Sequence, residues 1–423
     1  MIVEHGKVEP ARTRYVALIC LTTVYTLNFI DRQIISILKD PIATELDLSD
    51  TELGLLGGLA FALLYTTLAI PVAWLADRFS RVWILSLALA LWSFFTVLCG
   101  LMGSFWGLFI ARMGVGIGEA GGVAPAYSLI ADYFPPRRRA TAFAIYSFGV
   151  PLGSAAGILF GGLLAAQVDW RYAFMVVGAA GLVFAPVVRL LMRDPRGEGI
   201  RRQSMQTPLG VSQVFRLVRA KQSFWLLSCA GGLSSMMSYG FMYWIPTFLA
   251  RSFQMDLAHR AWFLGSLLLV GGMLGTLLGG AVADRLGQRS RRFYSLVPAL
   301  TSLISAPLYA LAVASQSSGQ AFLLLLIPQA LSLAWLGPVL TSVQHLGPPA
   351  SRTVTSSLFL LINGLIGITA GPLFFGTMSD WLRPVFGDRS IQYAFLWGLS
   401  FYILASLLYA AASRKIEKDW VEA

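Results

Sequence analysis

Residues 73–81 read Ala73-Trp-Leu-Ala-Asp-Arg-Phe-Ser-Arg81, and the chain returns to this pattern at Gly280-Ala-Val-Ala-Asp-Arg-Leu-Gly-Gln-Arg289, 207 positions on from Asp77 to Asp284. Each copy closes an apolar stretch. A second pair keeps nearly the same offset: Phe134-Pro-Pro-Arg-Arg-Arg139 and Leu346-Gly-Pro-Pro-Ala-Ser-Arg352 lie 213 residues apart, counted from Pro135 to Pro348. Two halves with matching polar loops describe a parallel internal repeat about an axis along a membrane normal.

Composition supports that reading. The 423 residues are 56% hydrophobic and 13% charged, against roughly 25% charged in soluble domains, and mean hydropathy is +0.68. About 18–20 apolar residues span the hydrocarbon core. Twelve stretches reach that length: 15–37, 51–74, 82–102, 106–131, 141–164, 170–192, 224–250, 261–282, 293–313, 322–343, 353–378 and 393–412. Backbone polar groups need internal partners in lipid, so these stretches are helices, and the alternation of a membrane β-barrel is absent. The expectation is an all-α membrane protein of twelve transmembrane helices. Residues 1–192 form one six-helix half, 193–222 a cytoplasmic linker, and 223–423 the second half.

The net charge of +11 follows the positive-inside rule, not a nucleic-acid footprint. Arg78 and Arg81 follow segment 2, Arg137, Arg138 and Arg139 follow segment 4, and Arg285, Arg289, Arg291 and Arg292 follow segment 8. The linker and the tail add more, which places both termini in the cytoplasm of a bacterial inner membrane against anionic lipid. Cys20, Cys99 and Cys229 fall in apolar stretches and read as small core residues. Residues 1–14 are polar, no cleavable leader is evident, and segment 1 serves as an uncleaved anchor. His5, His259 and His345 are scattered at ends and loops, and no metal cluster, catalytic triad or phosphate loop is visible.

The paired Asp-Arg-x-x-x-Arg loops on a six-plus-six layout resemble the major facilitator superfamily, over essentially the whole chain. Arg112-Met-Gly-Val-Gly-Ile-Gly-Glu-Ala120 is similar to that superfamily's second motif. Asn28-Phe-Ile-Asp-Arg32, the Gly-Glu-Ala run and Ala131-Asp-Tyr-Phe-Pro-Pro-Arg137 look like the spinster branch. The resemblance implies a transporter and not an enzyme. Animal members of that branch export sphingoid-base phosphates and lysophospholipids.

Four charged residues lie deep inside apolar segments, away from their ends: Asp31 and Arg32 in segment 1, Arg112 and Glu119 in segment 4. A charge at mid-membrane costs at least about 2.5–3.5 kcal/mol and is normally hidden in a bundle or cavity where it has a function. Arg112 and Glu119 are seven residues apart, two turns, and so share a helix face roughly 10 Å apart. By depth, Asp31 pairs with Arg112 and leaves Glu119 drier and more central. A carboxylate whose partner or hydration changes through a cycle binds and releases a proton. Asp31 and Glu119 are therefore the candidate proton-coupling groups, with Arg32, Arg112 and Asn28 modulating them or meeting a head group. The alternative is a static network holding helices 1 and 4 together. Consecutive Asp31 and Arg32 project about 100° apart and cannot share one direction.

At the cytoplasmic corner, Asp77, Arg78, Arg81 and Asp132, with Asp284 and Arg285 as their twins, are candidates for a gate latch or for topology-fixing residues. Glycines recur every fourth residue at 149, 153, 157 and 161, and again at 271, 275 and 279. Such stripes let backbones approach closely, and the two are expected to form the seam between halves. The second half offers an uncharged lining in Tyr239, Tyr243, Trp244, Trp335 and Asn363. Residues 211–221 read as a short amphipathic helix on the inner leaflet. The expected function is proton-coupled transport of a lysolipid or sphingoid-phosphate type amphiphile by alternating access. Membrane lipids are the surroundings, a monomer is the working unit, the proton gradient supplies the energy and no cofactor is required. The runner-up is a carrier of small organic anions or drugs.

Overall fold

The computed structural model describes residues 10–195, 211–287, 289–332, 334–348 and 352–421. Among these residues the chain is helical throughout its ordered elements, with no strand. The helices fall on the twelve apolar stretches, five of which are interrupted.

The described residues form two compact units. The first joins the chain up to Ile42 to the stretch from Leu63 to the linker, and the second joins Ala43–Ala62 to everything after the linker. Residues 43–62, which the repeat assigns to the first half, thus cluster with the second unit. The physical reason is the break that separates α2 (Asp50–Gly57) from α3 (Leu59–Arg78) at Gly58, together with the polar contacts that α2 makes.

The first unit contains α1 (Ala11–Leu46), the bulk of α3, α4 (Arg81–Leu101), α5 (Phe105–Glu119), α6 (Val123–Tyr133), α7 (Pro136–Ser147), α8 (Gly149–Gln167) and α9 (Trp170–Leu191). Ser80 and Ser104 cap α4 and α5 by accepting from Trp83 N and Gly107 N, the usual way to satisfy orphan amides at a helix start. The break between α5 and α6 falls in a glycine run. A Cβ at Gly118 would lie 2.5 Å from Trp92 N, so glycine is what allows α5 to lie against α4.

The glycine stripe of α8 packs inside this unit. Cβ atoms at Gly153 and Gly157 would lie 2.3 Å from Thr26 O and 2.7 Å from Ile30 O of α1. The expected seam between halves is therefore corrected for these glycines: both carbonyls belong to α1, in the same unit. In the second unit Gly275 likewise faces Ala330 O, at 2.3 Å from its would-be Cβ. The side-chain surroundings of Gly279 lie outside the described residues.

The second unit comprises α2, α10 (Val211–Arg219), α11 (Gln222–Phe253), α12 (Leu257–Gly287), α13 (Phe293–Val313), α14 (Ser318–Leu331), α15 (Leu336–Gln344), α16 (Arg352–Asn363), α17 (Ala370–Phe386), α18 (Ser390–Ser413) and α19 (Ile416–Asp419). A π-helical turn, Gly364–Thr369, joins α16 to α17. At one end, Val218 of α10 enters a core with Phe224, Val339, Phe359 and Tyr409, which pins the linker helix to this unit.

Candidate functional site

The charged residues of the first unit converge as a group, with a pairing the spacing does not give. Arg32 Nε lies 2.6 Å from Glu119 Oε2, and Arg112 Nη1 donates to the backbone carbonyl of Asp31 at 3.4 Å. Depth along the helices suggested Asp31 with Arg112. Arg112 does lie within charge reach of the Asp31 carboxyl, and Arg32, which leaves α1 in another direction from Asp31, reaches the end of α5. Glu119 is the last residue of that helix, where carbonyl ends disfavour negative charge, and a guanidinium is the natural partner.

Burial is severe. Asp31, Arg112 and Asn28 are each 2% exposed and Glu119 is fully buried, while the Arg32 side chain keeps 14% of its surface. Asp31 Oδ1, Glu119 Oε1 and both amide atoms of Asn28 make no hydrogen bond among the described residues. Trp92 and Thr96 of α4 stand beside Asp31, and Asn28 beside Glu119. Such a group of partly satisfied carboxylates is costly unless its protonation or partners change.

Aromatic rings surround the accessible member. The Arg32 guanidinium sits 4.3 Å from the Tyr65 ring centre and 5.2 Å from that of Phe29, distances typical of cation–π contact. Tyr25 stacks on Tyr146 at 4.3 Å, and Tyr127 on Phe143 at 5.1 Å. Composition placed the aromatic lining in the second half; these rings come from α1, α3, α6 and α7 of the first unit. Only the order of the rings in space reveals them, since no short motif contains them.

Two of the lining residues expected in the second unit serve packing instead. Trp244 is fully buried and its Nε1 donates to Pro372 O at 2.8 Å; Tyr243 Oη donates to Leu53 O at 2.7 Å. Both hold neighbouring helices together and leave no free polar edge. Tyr239 is 41% exposed, whereas Trp335 and Asn363 are buried side by side near Gly231.

At the corner after α3, Arg81 bridges two carboxylates, Asp132 at 2.7 Å and Asp194 at 2.6 Å, and also donates to Ser128 Oγ at 2.6 Å. Tyr133 Oη donates to Arg193 O. Arg78 is exposed and lies over the Trp74 ring. The side chains of Asp77, Asp284 and Arg285 lie outside the described residues. Asp194, beyond the motif, was not legible as a partner.

A further cluster escaped the sequence altogether. Asp50 takes two bonds from Arg251, at 2.7 and 2.8 Å, and one from Ser379 Oγ at 2.7 Å. Asp380 accepts from Thr51 N and Thr51 Oγ1 at 2.7 and 2.6 Å. Three segments more than 100 residues apart meet there, and nothing local in the sequence announces it. Among the described residues no group of His, Cys, Asp and Glu has metal-holding geometry.

Buried charge within a fold of apolar helices joined by paired polar loops is the layout of a membrane transporter. A family model for the Major Facilitator Superfamily matches residues 21–372. The chain belongs to that superfamily, in its spinster-like branch. It is 32% identical to an MFS-type efflux pump of Mycolicibacterium smegmatis, over 99% of this chain and 97% of that one. It is 29% identical to Protein spinster of Drosophila melanogaster, over 87% of this chain and 62% of that protein. Among solved structures, a bacterial homologue of the human lysosomal transporter spinster, inward-facing and unoccupied, superposes with a TM-score of 0.87 at 33% identity, covering 98% of this chain and 99% of the other. The protein is an integral membrane transporter, not an enzyme.

Proposed function

We propose that the protein is a proton-coupled secondary transporter of amphipathic, lipid-like molecules of the lysolipid or sphingoid-phosphate type, working by alternating access as a monomer. It resides in the inner membrane with both termini in the cytoplasm, a placement supported by the arginines clustered in alternate loops. The observation that carries the reading is the Arg32–Glu119 pair, in which the cation keeps an accessible edge and the carboxylate is wholly enclosed. An anionic head group reaching Arg32 competes with Glu119, and a carboxylate that loses its bonded cation in a dry site takes up a proton. Asp31, enclosed with an unpartnered oxygen, is the second proton carrier. Aromatic faces around Arg32 suit the apolar shoulder of an amphiphile.

A second reading, transport of small organic anions or drugs on the same scaffold, is favoured by the efflux pump of Mycolicibacterium smegmatis named above. Proteoliposomes under an imposed pH gradient separate the two. Gradient-dependent movement of a lysolipid, lost in Asp31→Asn, supports the first. Movement of a water-soluble organic anion alone keeps the coupling and replaces the substrate.

A further inference from the structure

Two helices of the first unit, α4 and α9, present an apolar outer face away from the charged site. They lie tightly together: a Cβ at Gly178 would stand 2.6 Å from Ser93 O. On α4 the exposed residues Trp83, Leu87, Phe94 and Leu101 follow one another at steps of four and seven, which keeps them on one side of the helix. Val183 and Leu190 are exposed on α9. From Trp83 to Leu101 the stripe runs about 27 Å along the axis, close to the thickness of a hydrocarbon core. In a membrane this face is covered by acyl chains, and Trp83 stands at its edge, the level that interfacial tryptophans occupy.

Arg189 lies at the same edge, in the last turn of α9. Its guanidinium carbon is 4.8 Å from the centre of the Trp83 ring, a cation–π distance. The side chain is exposed and makes no hydrogen bond or ion pair among the described residues. Asp194, the acid nearest to it in the chain, is already bound to Arg81. A positive charge suits the carbonyl end of α9, yet that role engages none of the guanidinium donors. The opposite end of these helices gives the contrast. There Arg171 lies over Trp170 at 4.2 Å, but its Nη2 donates to Met102 O at 3.4 Å. Arg171 is spent on the protein; the fork of Arg189 is open.

We propose that Arg189 and Trp83 hold the head group of an anionic phospholipid, its phosphate on the open fork of Arg189 and its acyl chains along the α4–α9 face. A guanidinium meets two phosphate oxygens at once, which fixes the lipid as well as attracting it. The exposed Arg193, four residues on, adds a second positive charge and favours a head group of net negative charge. The lipid bridges the start of α4 to the end of α9, the two segments that Arg81 and Asp194 tie together on the protein side. In the orientation proposed above it belongs to the cytoplasmic leaflet. It is a bound partner of the fold and not the transported molecule.

Native mass spectrometry of the full-length protein in detergent tests it, with titrations of phosphatidylglycerol and of phosphatidylcholine carrying the same chains. Wild type should hold one phosphatidylglycerol about fivefold more tightly than phosphatidylcholine. Arg189→Gln and Trp83→Leu should each lose that preference while the thermal midpoint in phosphatidylcholine stays unchanged. Arg189→Lys should keep part of the preference, since it retains the charge without the fork, and Arg171→Gln should keep all of it. Equal affinity for the two lipids in wild type, or a preference that survives in Arg189→Gln, overturns the inference. So does a thermal midpoint that falls equally in both lipids in Arg189→Gln, which would assign the side chain to packing. Neither result bears on proton coupling or on the transported substrate.

Discussion

Arg32 Nε stands 2.6 Å from Glu119 Oε2, although the two residues are 87 positions apart and Glu119 is sealed from solvent. On the coupling proposed above, that carboxylate takes up a proton when Arg32 moves or is claimed by something else. Anion and proton should therefore bind cooperatively to this unit, and binding of an anionic amphiphile in weak buffer should draw up to one proton from solution. Calorimetry in two buffers of different ionisation enthalpy measures that uptake. Glu119→Gln should bind the anion with no proton uptake, accumulate no substrate under a pH gradient and still catalyse exchange. Unchanged gradient-driven accumulation in Glu119→Gln would remove this residue from coupling.

Arg81 holds Asp132 and Asp194 together from an enclosed position, with its backbone amide also donating to Asp194 at 2.9 Å. Removing one partner of a buried ionic group leaves the rest uncompensated and costs about 3–5 kcal/mol. Arg81→Ala should lower the thermal midpoint by several degrees and abolish transport. Arg81→Lys should recover only part of it, because an ammonium cannot reach two carboxylates and Ser128 in one fork. Nanoscale fluorimetry on purified variants reads both.

How legible all this was depends on the range of the interaction. Helices were readable, because apolar length is a property of single stretches, whereas residues 43–62, which the repeat near Asp77 and Asp284 gives to the first half, cluster with the second unit. The charged site was readable as a set, since Asp31, Arg32, Arg112 and Glu119 are conspicuous in apolar surroundings. Its pairing was not, because axial depth places residues along a helix but leaves the rotation between helices undetermined. Rotation decides that Arg32 faces Glu119 and that Arg112 meets a carbonyl. The same ignorance misplaced Tyr243 and Trp244, whose polar tips reach backbone carbonyls of Leu53 and Pro372. It also sent the Gly153 stripe to a seam between halves, when α1 was available as a partner.

That stripe makes a stability prediction with an internal control. At Gly153 and Gly157 the atoms a methyl would meet are backbone carbonyls of α1, which cannot rotate away as a side chain does. Gly153→Ala and Gly157→Ala should each cost about 1–3 kcal/mol, as overpacking does. Gly103, with nothing within 4 Å of its would-be Cβ, should accept alanine with no loss and a gain of up to about 1 kcal/mol from the stiffer unfolded chain. Thermal midpoints of the three variants, compared in the same lipid, check the contrast. Equal losses at Gly103 and Gly153 would mean that close packing on α1 is not the cause.

The Asp50–Arg251 pair explains why the first turns of α2 cluster with the second unit. Asp50 is 3% exposed at its side chain and Arg251 17%, so the two-pronged contact is little screened. Asp380 meanwhile accepts from the amides of Asp50 and Thr51 at 3.2 and 2.7 Å, satisfying donors that a helix start leaves orphaned. Asp50→Ala and Arg251→Ala should each destabilise the protein. The double variant should fall short of their sum by about 1–3 kcal/mol, the coupling expected of residues in direct contact. Asp380→Ala should cost about 1 kcal/mol as a lost cap, independently of Arg251. An additive double variant would show that Ser379 and the capping carboxylate, and not the ion pair, hold α2 in place.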